Sequence, residues 1–192
     1  PEIIVVDNNS TDRTLHIVRS FQHSPDLNES PKYSDIKIVK IDDYTPGKAL
    51  NIGVNNSSND YIMIISSHCI LNKINIEKHL NDLNNYSSIF GNQIPIWEGK
   101  RITKRYIWSH FIKEEVINMY SDYEKRHFLH NACALYNKDI LLKKPFDENL
   151  TGKEERYWAN DIVAEGLSYL YDPEMEAEHH YTPNGNTWKG IG

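Results

Sequence analysis

The sequence predicts an α/β fold with a doubly wound parallel sheet, because three apolar runs alternate with helix-like segments. The runs occupy residues 3–6, 36–41 and 61–65. The first and third are continuously apolar, which is typical of strands buried on both faces. Strands that alternate with helices favour a parallel sheet with crossover helices. Ligands of such sheets bind beyond the carboxyl ends of the strands.

The first strand leads into a polar turn, residues 7–12, that is rich in helix-capping residue types. A helix should follow, with Leu15, Val18 and Phe21 on its inner face. A loop that contains two prolines, residues 24–34, then leads to the second strand.

The second and third strands are each followed by a predicted helix. Pro46 and Gly47 open the first of these helices, and turn-forming residues end it at 55–60. The third strand ends at Ser66, after which apolar residues at helical spacing predict a helix over 76–83.

The second half of the sequence is less regular. Apolar residues about one turn apart predict a helix over 102–120. A strand is expected within 128–136 and a short one over 169–171. Between them, a helix is predicted over 153–165, with Trp158 and Ile162 one turn apart on its core side.

The composition is that of a single globular domain spanning residues 1–192. Hydrophobic residues make up 39% and charged residues 25% of the chain, a balance typical of folded proteins. The net charge of −6 argues against a nucleic-acid partner, since phosphate binding needs clustered Lys and Arg. The 2 cysteines show neither a disulfide framework nor zinc spacing, which indicates a reducing, cytoplasmic setting. No apolar run approaches the roughly 20 residues that span a bilayer.

Four segments carry recognisable motifs, in the order PEIIVVDNNSTDRT at 1–14, GKALNIG at 47–53, FDENL with GKEERYWA within 146–159, and Asp-Pro, Ala and His within 172–179. Together they resemble family 2 glycosyltransferases of the GT-A type, and they cover nearly the whole chain. The resemblance implies a doubly wound mixed sheet and an enzyme that uses a nucleotide-sugar donor.

Three departures from the family pattern stand out. The family has a strand and helix before position 2, so the sheet is expected to lack its usual first strand. The metal-binding D-x-D is replaced by Ser66-Ser67-His68. With Cys69 this segment resembles a subgroup with S-x-H-C, and residues 91–93 resemble the G-R-Q segment of that subgroup. The family's E-D pair is Glu154-Glu155 here.

The resemblance implies transfer of a sugar from a nucleotide-diphosphate donor to a saccharide or lipid-linked acceptor. The reaction would be inverting and would serve bacterial surface polysaccharide synthesis. The enzyme would be cytoplasmic, at the inner face of the membrane, and peripheral membrane association is compatible with a lipid-linked acceptor.

Five residues are implied at the nucleotide, namely Asp7, Asn9, Asp12, Lys48 and Ser66. Asp7 would hold the nucleoside, and Lys48 would contact phosphate. Helix capping is the alternative for Asp7 and Asp12. A solvated surface position is the alternative for Lys48.

A divalent metal, Mn²⁺ or Mg²⁺, commonly neutralises a departing diphosphate. His68 takes the place of the second aspartate of D-x-D, and His179 is the second candidate ligand. Local hydrogen bonding is the alternative for His68, and a surface turn for His179 and His180. Adjacent residues of a strand point to opposite faces, so only one of His179 and His180 is expected to face the site.

Glu155 takes the position of the family's catalytic aspartate, as the general base, with Glu154 as the alternative. A carboxylate is also favoured at a helix N-terminus by the helix dipole alone. Two other functions remain open. One is a non-catalytic sugar- or nucleotide-binding domain, and the other is a sugar-phosphate nucleotidyltransferase. The second is disfavoured, because no Gly-rich phosphate loop with Arg occurs near the start.

Overall fold

The computed structural model describes residues 1–22, 36–102 and 109–181. In chain order its elements are β1 (Ile3–Asp7), α1 (Thr14–Gln22), β2 (Ile36–Lys40), α2 (Pro46–Asn56), β3 (Tyr61–Ile65), β4 (Cys69–Lys73), α3 (Ile76–Asp82), β5 (Ser88–Trp97), β6 (Lys100–Arg101), β7 (Val116–Ile117), β8 (Tyr120–Ser121), β9 (Arg126–His127), β10 (Cys133–Asn137), α4 (Lys138–Lys143), α5 (Glu154–Ala164) and β11 (Leu170–Tyr181).

The described residues form three sheets, the smallest of which pairs β8 with β9. In a second, β1 and β2 pair in parallel. The larger sheet has the order β3-β10-β5-β11-β4, with β6 paired to β5 and β7 to β11. In this sheet β5 and β11 are parallel, whereas β10 and β4 run antiparallel to their neighbours. The mixed sheet implied by the resemblance is confirmed. The all-parallel sheet expected from the alternation is wrong, because β10 returns from the second half of the chain to pair with β3.

The central strands of the larger sheet are buried on both faces. Along β5, Ile89 and its neighbour Phe90 are both fully buried, yet they belong to different hydrophobic clusters. Successive strand residues point to opposite faces, so each cluster fills one face. Trp158 and Ile162 of α5 pack into the cluster around Phe90, as expected. Leu83 and Leu80, at α3, pack into the other.

The helix predicted over 102–120 is wrong for its described part. Residues 103–108 lie outside the described residues, as does the loop predicted over 24–34. Residues 116–117 form the strand β7, which pairs with the start of β11. Phe111 and Val116 pack against the core, and the Tyr171 hydroxyl donates to the Ile112 carbonyl at 2.8 Å. Pairing with the sheet therefore outweighs the helical spacing of the apolar residues.

Three further predictions need correction. A strand, β4, precedes α3, although only a helix was predicted after Ser66. The short strand expected over 169–171 is the start of β11, which continues to Tyr181. Val18 and Phe21 of α1 face Ile3 of the small sheet, as predicted, but they line an open apolar hollow and are not buried in a core.

Among the described residues, no helix is both long and apolar enough to cross a membrane.

A buried ionic cluster fixes α3 to β11. The Asp172 side chain is fully buried and accepts hydrogen bonds from His79 Nε2 at 2.9 Å and from Lys78 Nζ. Asp172 stands where the register of β11 against β5 shifts, before Glu176. Burial alone would raise the pKa of Asp172, but the hydrogen bonds from His79 and Lys78 hold it well below its ordinary value.

A second contact joins α2 to the segment before α5. The Asn51 side-chain amide donates to the Phe146 carbonyl at 2.9 Å, and its oxygen accepts from the Phe146 backbone N–H at 3.0 Å. A β-carbon on Gly47 would lie 2.4 Å from the Asp147 carbonyl oxygen. The close approach therefore requires glycine at this position, and it joins two of the motif segments.

We predict that Asp172→Asn lowers the free energy of unfolding by about 2 kcal/mol, because hydrogen bonds to a buried charge are weakened. The pKa of Asp172 lies below the value of about 3.9 in an unfolded chain. The wild type should therefore lose this stabilisation as the pH falls below about 4, and the variant should lose less. Urea unfolding at about pH 7 and about pH 3 measures both effects.

Glu174→Gln is the control for this variant, because it keeps the backbone N–H that donates to Asp172 and changes only an exposed side-chain ion pair with Lys73, at 3.6 Å. Its effect should stay under about 0.5 kcal/mol. Equal losses in the two variants would contradict the role given to Asp172.

Two alanine variants in α2 test the contact at Gly47. Gly47→Ala should destabilise the protein by about 1–3 kcal/mol through the clash with the Asp147 backbone. In Gly53→Ala, the new β-carbon meets only the Val6 side chain, at 3.5 Å. That variant should be neutral or stabilising by up to about 1 kcal/mol, since alanine favours helix over glycine. Thermal unfolding of both compares them, and a stable Gly47→Ala would refute the contact.

Candidate functional site

Asp7 ends β1, and its buried carboxylate closes the polar turn that follows. Both carboxylate oxygens lie 3.3 Å from the Ser10 backbone nitrogen, which donates. Asn9 adopts a φ of 51°, and its side-chain amide donates to Asp42 Oδ1 at 3.0 Å. The turn is thus tied to the segment after β2. Asp7 lies at the strand end as expected, and the nucleotide-binding roles of Asp7 and Asn9 stay predictions.

Asp12 and Lys48 have local partners. The exposed Asp12 carboxylate accepts from the Thr14 backbone N–H at 2.9 Å, at the start of α1, which matches the capping alternative. Its pKa is lowered by its hydrogen bonds with Thr14. Lys48 Nζ lies 3.7 Å from Asp43 Oδ2. Their contacts with a nucleotide stay predictions.

The turn after β3 is anchored to a neighbouring loop. The Ser66 hydroxyl donates to the Asn131 carbonyl at 3.0 Å, and the Ser66 backbone N–H donates to the Ala132 carbonyl at 3.3 Å. Ser66 therefore holds the turn that carries His68, and its own contact with a nucleotide stays a prediction.

The imidazoles of His68 and His179 meet, with their ring planes tilted by 35°. Their Nε2 atoms are 2.5 Å apart, and the His180 backbone N–H donates to the His68 carbonyl at 2.8 Å. The predicted approach of the two side chains is present. His179 is almost completely buried, whereas His180 is directed toward Glu178, at 3.0 Å. One of the two adjacent histidines thus faces the site, as strand geometry requires.

The two facing histidines are neutral near pH 7. Burial lowers the pKa of His179 to about 3, with His68 and His180 adding to the effect. Burial and His180 also lower the pKa of His68. His179 Nδ1 lies 2.6 Å from Gln93 Oε1, and because an amide oxygen only accepts, Nδ1 carries the proton. The lone pair of His179 Nε2 therefore points at His68. Gln93 was not predicted at the site, although it lies in the segment 91–93 that resembles G-R-Q.

His130 also belongs to this group and was missed from the sequence. Its ring centre lies 5.7 Å from that of His179, and its Nδ1 accepts from the Ala132 backbone N–H at 3.1 Å. Burial, then the charge of Arg156, holds the pKa of His130 well below its ordinary value. No motif marked this residue, because its position depends on the loop before β10.

Glu154 and Glu155 begin α5, and both are buried. Glu155 Oε1 accepts from Arg156 Nη1 at 2.9 Å, and Arg156 Nε lies 3.2 Å from Glu124 Oε2. Burial raises the pKa of Glu155 against the lowering effect of Arg156. Burial likewise raises the pKa of Glu154. A raised pKa suits a general base near neutral pH, and the catalytic roles of both glutamates stay predictions.

Arg156 is the buried cation beside the carboxyl pair. It binds Glu155 directly, and its charge acts on His130, whose ring lies against His179. The guanidinium also lies over the Phe128 ring, 4.7 Å from the ring centre. Glu155 thus contacts Arg156, while His130 lies against His179, which meets His68. The turn at Asp7 belongs to the smaller sheet.

Comparison with known proteins identifies the family and the fold. The family model described as Glycosyl transferase family 2 matches residues 1–143. A Campylobacter jejuni protein named GalNAc(5)-diNAcBac-PP-undecaprenol beta-1,3-glucosyltransferase is 25% identical over 176 residues, which cover 88% of this chain and 52% of the relative. The chain thus spans about half the length of the curated relative that it matches.

Two solved structures share the fold. S. aureus TarS 1-349 in complex with UDP matches with a TM-score of 0.65 at 18% identity, over 95% of this chain and 52% of that chain. GalNAc-T7 with UDP, GalNAc and Mn²⁺ matches with a TM-score of 0.62 at 14% identity, over 100% and 39%. These structures have the GT-A fold that the sequence resemblance implied. With the family model matching well over half of its residues, the chain belongs to glycosyl transferase family 2.

Proposed function

We propose that this chain is the catalytic domain of a glycosyltransferase that moves a sugar from a nucleotide-diphosphate donor to a saccharide or lipid-linked acceptor. The observation that carries the proposal is the close approach of His68 and His179, together with the buried Glu155 that Arg156 holds. A carboxyl group with a raised pKa suits proton abstraction. Two neutral imidazoles suit a cation that faces a diphosphate.

In the proposed reaction Glu155 takes the proton of the acceptor hydroxyl. The hydroxyl oxygen attacks the anomeric carbon of the donor, and the bond from that carbon to the diphosphate oxygen breaks. A single displacement of this kind inverts the configuration of the sugar. Arg156 holds the carboxylate of Glu155 in place, and Glu154 is the alternative base.

His68 and His179 would hold the divalent ion, which supplies charge neutralisation on the departing diphosphate. Their imidazole donors suit Mn²⁺ better than Mg²⁺, because Mg²⁺ prefers oxygen ligands. Asp7 and Asn9 would hold the nucleoside, with Lys48 at phosphate and Ser66 beside it. Asp12 would contribute by fixing the start of α1.

A lipid-linked acceptor is supported by the name of the Campylobacter jejuni relative, and we propose with it a role in bacterial surface polysaccharide synthesis. Such an acceptor would bring the enzyme to the inner face of the membrane by peripheral association. The free thiols of Cys69 and Cys133 support a reducing, cytoplasmic setting.

A second candidate function is a non-catalytic domain that binds a sugar or a nucleotide. It is favoured by the ion pair between Glu155 and Arg156, which also gives Glu155 a structural role. The two candidates differ in the expected loss of turnover when Glu155 is replaced.

The natural full-length protein should bind UDP, and Asp7→Asn should weaken binding by about 10-fold or more, because a charged hydrogen-bond acceptor is lost. Asp60→Asn is the control, since Asp60 is exposed and lies directly before β3, outside the proposed nucleotide residues. It should leave the affinity within about 2-fold, in line with a small surface effect. Calorimetric titration with and without Mn²⁺ measures both, and thermal unfolding verifies that the variants fold. Absence of UDP binding by the folded wild type would contradict the donor site.

Glu155→Gln should reduce sugar transfer by about 10²-fold or more, because a carboxamide cannot take a proton. UDP release from a panel of UDP-sugars with saccharide acceptors measures turnover, and UDP affinity should be unchanged. Burial raises the pKa of Glu155. Wild-type kcat should therefore rise with pH as this carboxyl group loses its proton.

Glu154→Gln is the matched variant. If it loses activity while Glu155→Gln keeps it, the base is Glu154, and if neither matters, the non-catalytic function is favoured.

A further inference from the structure

Cys69 lies beside the two histidines of the proposed metal site. Its strand position is directly opposite His179 in the antiparallel pair of β4 and β11. Side chains of directly opposite residues project from the same face of a sheet. The possible ligand atoms of His68, Cys69 and His179 all lie within 4.8 Å of one another. The thiol is therefore part of the same group as the imidazoles.

The turn before β4 explains why two consecutive residues face the same point. Within a strand, His68 and Cys69 would point to opposite faces. However, β4 begins at Cys69, and the Cys69 backbone N–H donates to the Ser66 carbonyl at 2.8 Å. His68 thus lies in a turn and is free of the strand alternation. Its backbone carbonyl accepts from His180, which keeps the turn against β11.

The donor set differs from the one that Mg²⁺ requires. This cluster, taken from the described residues, offers two imidazoles and one thiol and no carboxylate. Mg²⁺ prefers six oxygen ligands, whereas thiolate and imidazole together favour Zn²⁺ and similar late first-row ions. Zinc sites that act in catalysis commonly have three protein ligands and a fourth position for an exogenous oxygen.

We propose that His68, Cys69 and His179 form a binding site for a divalent ion of the zinc class, with the fourth position directed to a diphosphate oxygen. The inference rests on the proposed function for the role of that fourth position. As the bond from sulfur to the ion forms, Cys69 gives its proton to the solvent. The two Nε2 atoms would separate from 2.5 Å to roughly 3.3 Å, the spacing that bonds of about 2.0 Å give in a tetrahedron.

Gln93 supplies a second observation in favour of the site. It accepts the Nδ1 proton of His179, which leaves Nε2 as the ligand atom, and such partners commonly orient metal-bound histidines. Gln93 is only 4% exposed, and within the described part of the chain its Nε2 has no hydrogen-bond partner. The hydrogen bond of this buried amide therefore fixes the orientation of the His179 imidazole.

Cobalt substitution of the natural full-length protein tests the proposal, because a thiolate ligand gives Co²⁺ a charge-transfer absorption in the near ultraviolet. We expect this band in the wild type and its loss in Cys69→Ser. Cys133→Ser is the matched control, since Cys133 is buried in the core outside the cluster, and it should keep the band. Zn²⁺ should displace Co²⁺, and excess Mg²⁺ should not. Cys69→Ser should weaken Zn²⁺ binding by about 10-fold or more.

Separate outcomes distinguish this inference from the proposed function. Cobalt binding without the thiolate band, or a band that survives in Cys69→Ser, would overturn the role of Cys69. Absence of cobalt binding would overturn the site, while UDP binding and transfer in the same preparation would leave the proposed function intact. A thiolate band without UDP binding would refute the donor site and keep the metal site.

Discussion

Hydrogen bonding between β5 and β11 is the interaction on which both the core and the candidate site depend. β11 pairs with β5 on one side from Leu170 to Tyr181, and with β4 on the other. Near its start it carries Asp172, which holds α3, and near its end it carries His179, which meets His68. Displacement of this strand would disturb both the core packing and the candidate site. The position of His179 relative to His68 therefore depends on the pairing of β11 with β5.

One buried cation, Arg156, is paired with the acidic side chains near the start of α5. Arg156 is almost completely buried and lies between the carboxylates of Glu155 and Glu124. A buried ion pair seldom stabilises a protein by itself, because desolvation offsets the attraction. Its effect here is electrostatic: it opposes the rise in the pKa of Glu155, and it adds to the effect of burial in lowering the pKa of His130. The candidate residues therefore include two buried glutamates whose pKa is raised, one cation, and three imidazoles whose pKa is lowered.

Local patterns anticipated the parts of the structure that depend on neighbouring residues. The apolar run before Asp7 and the spacing of Trp158 and Ile162 predicted β1 and α5, because burial of consecutive or one-turn neighbours leaves a signature in sequence. The strand-end rule, together with the family resemblance, predicted that His68 and His179 approach each other. The helix predicted over 102–120 is wrong for residues 109–120, because residues 116–117 pair with β11 instead. Arg156 and His130 were missed, since their roles arise from Glu124 and from a loop distant in sequence.

The register shift in β11 has a consequence for the evolution of the chain. Between the pairs Asp172–Gly91 and Glu176–Asn92, three residues of β11 have no partner on β5. Since strand residues alternate between faces, an odd number of extra residues exchanges the faces of all that follow. This shift is what turns His179, and not His180, toward His68. Natural selection should therefore tolerate substitutions in this segment more readily than a gain or loss of a single residue.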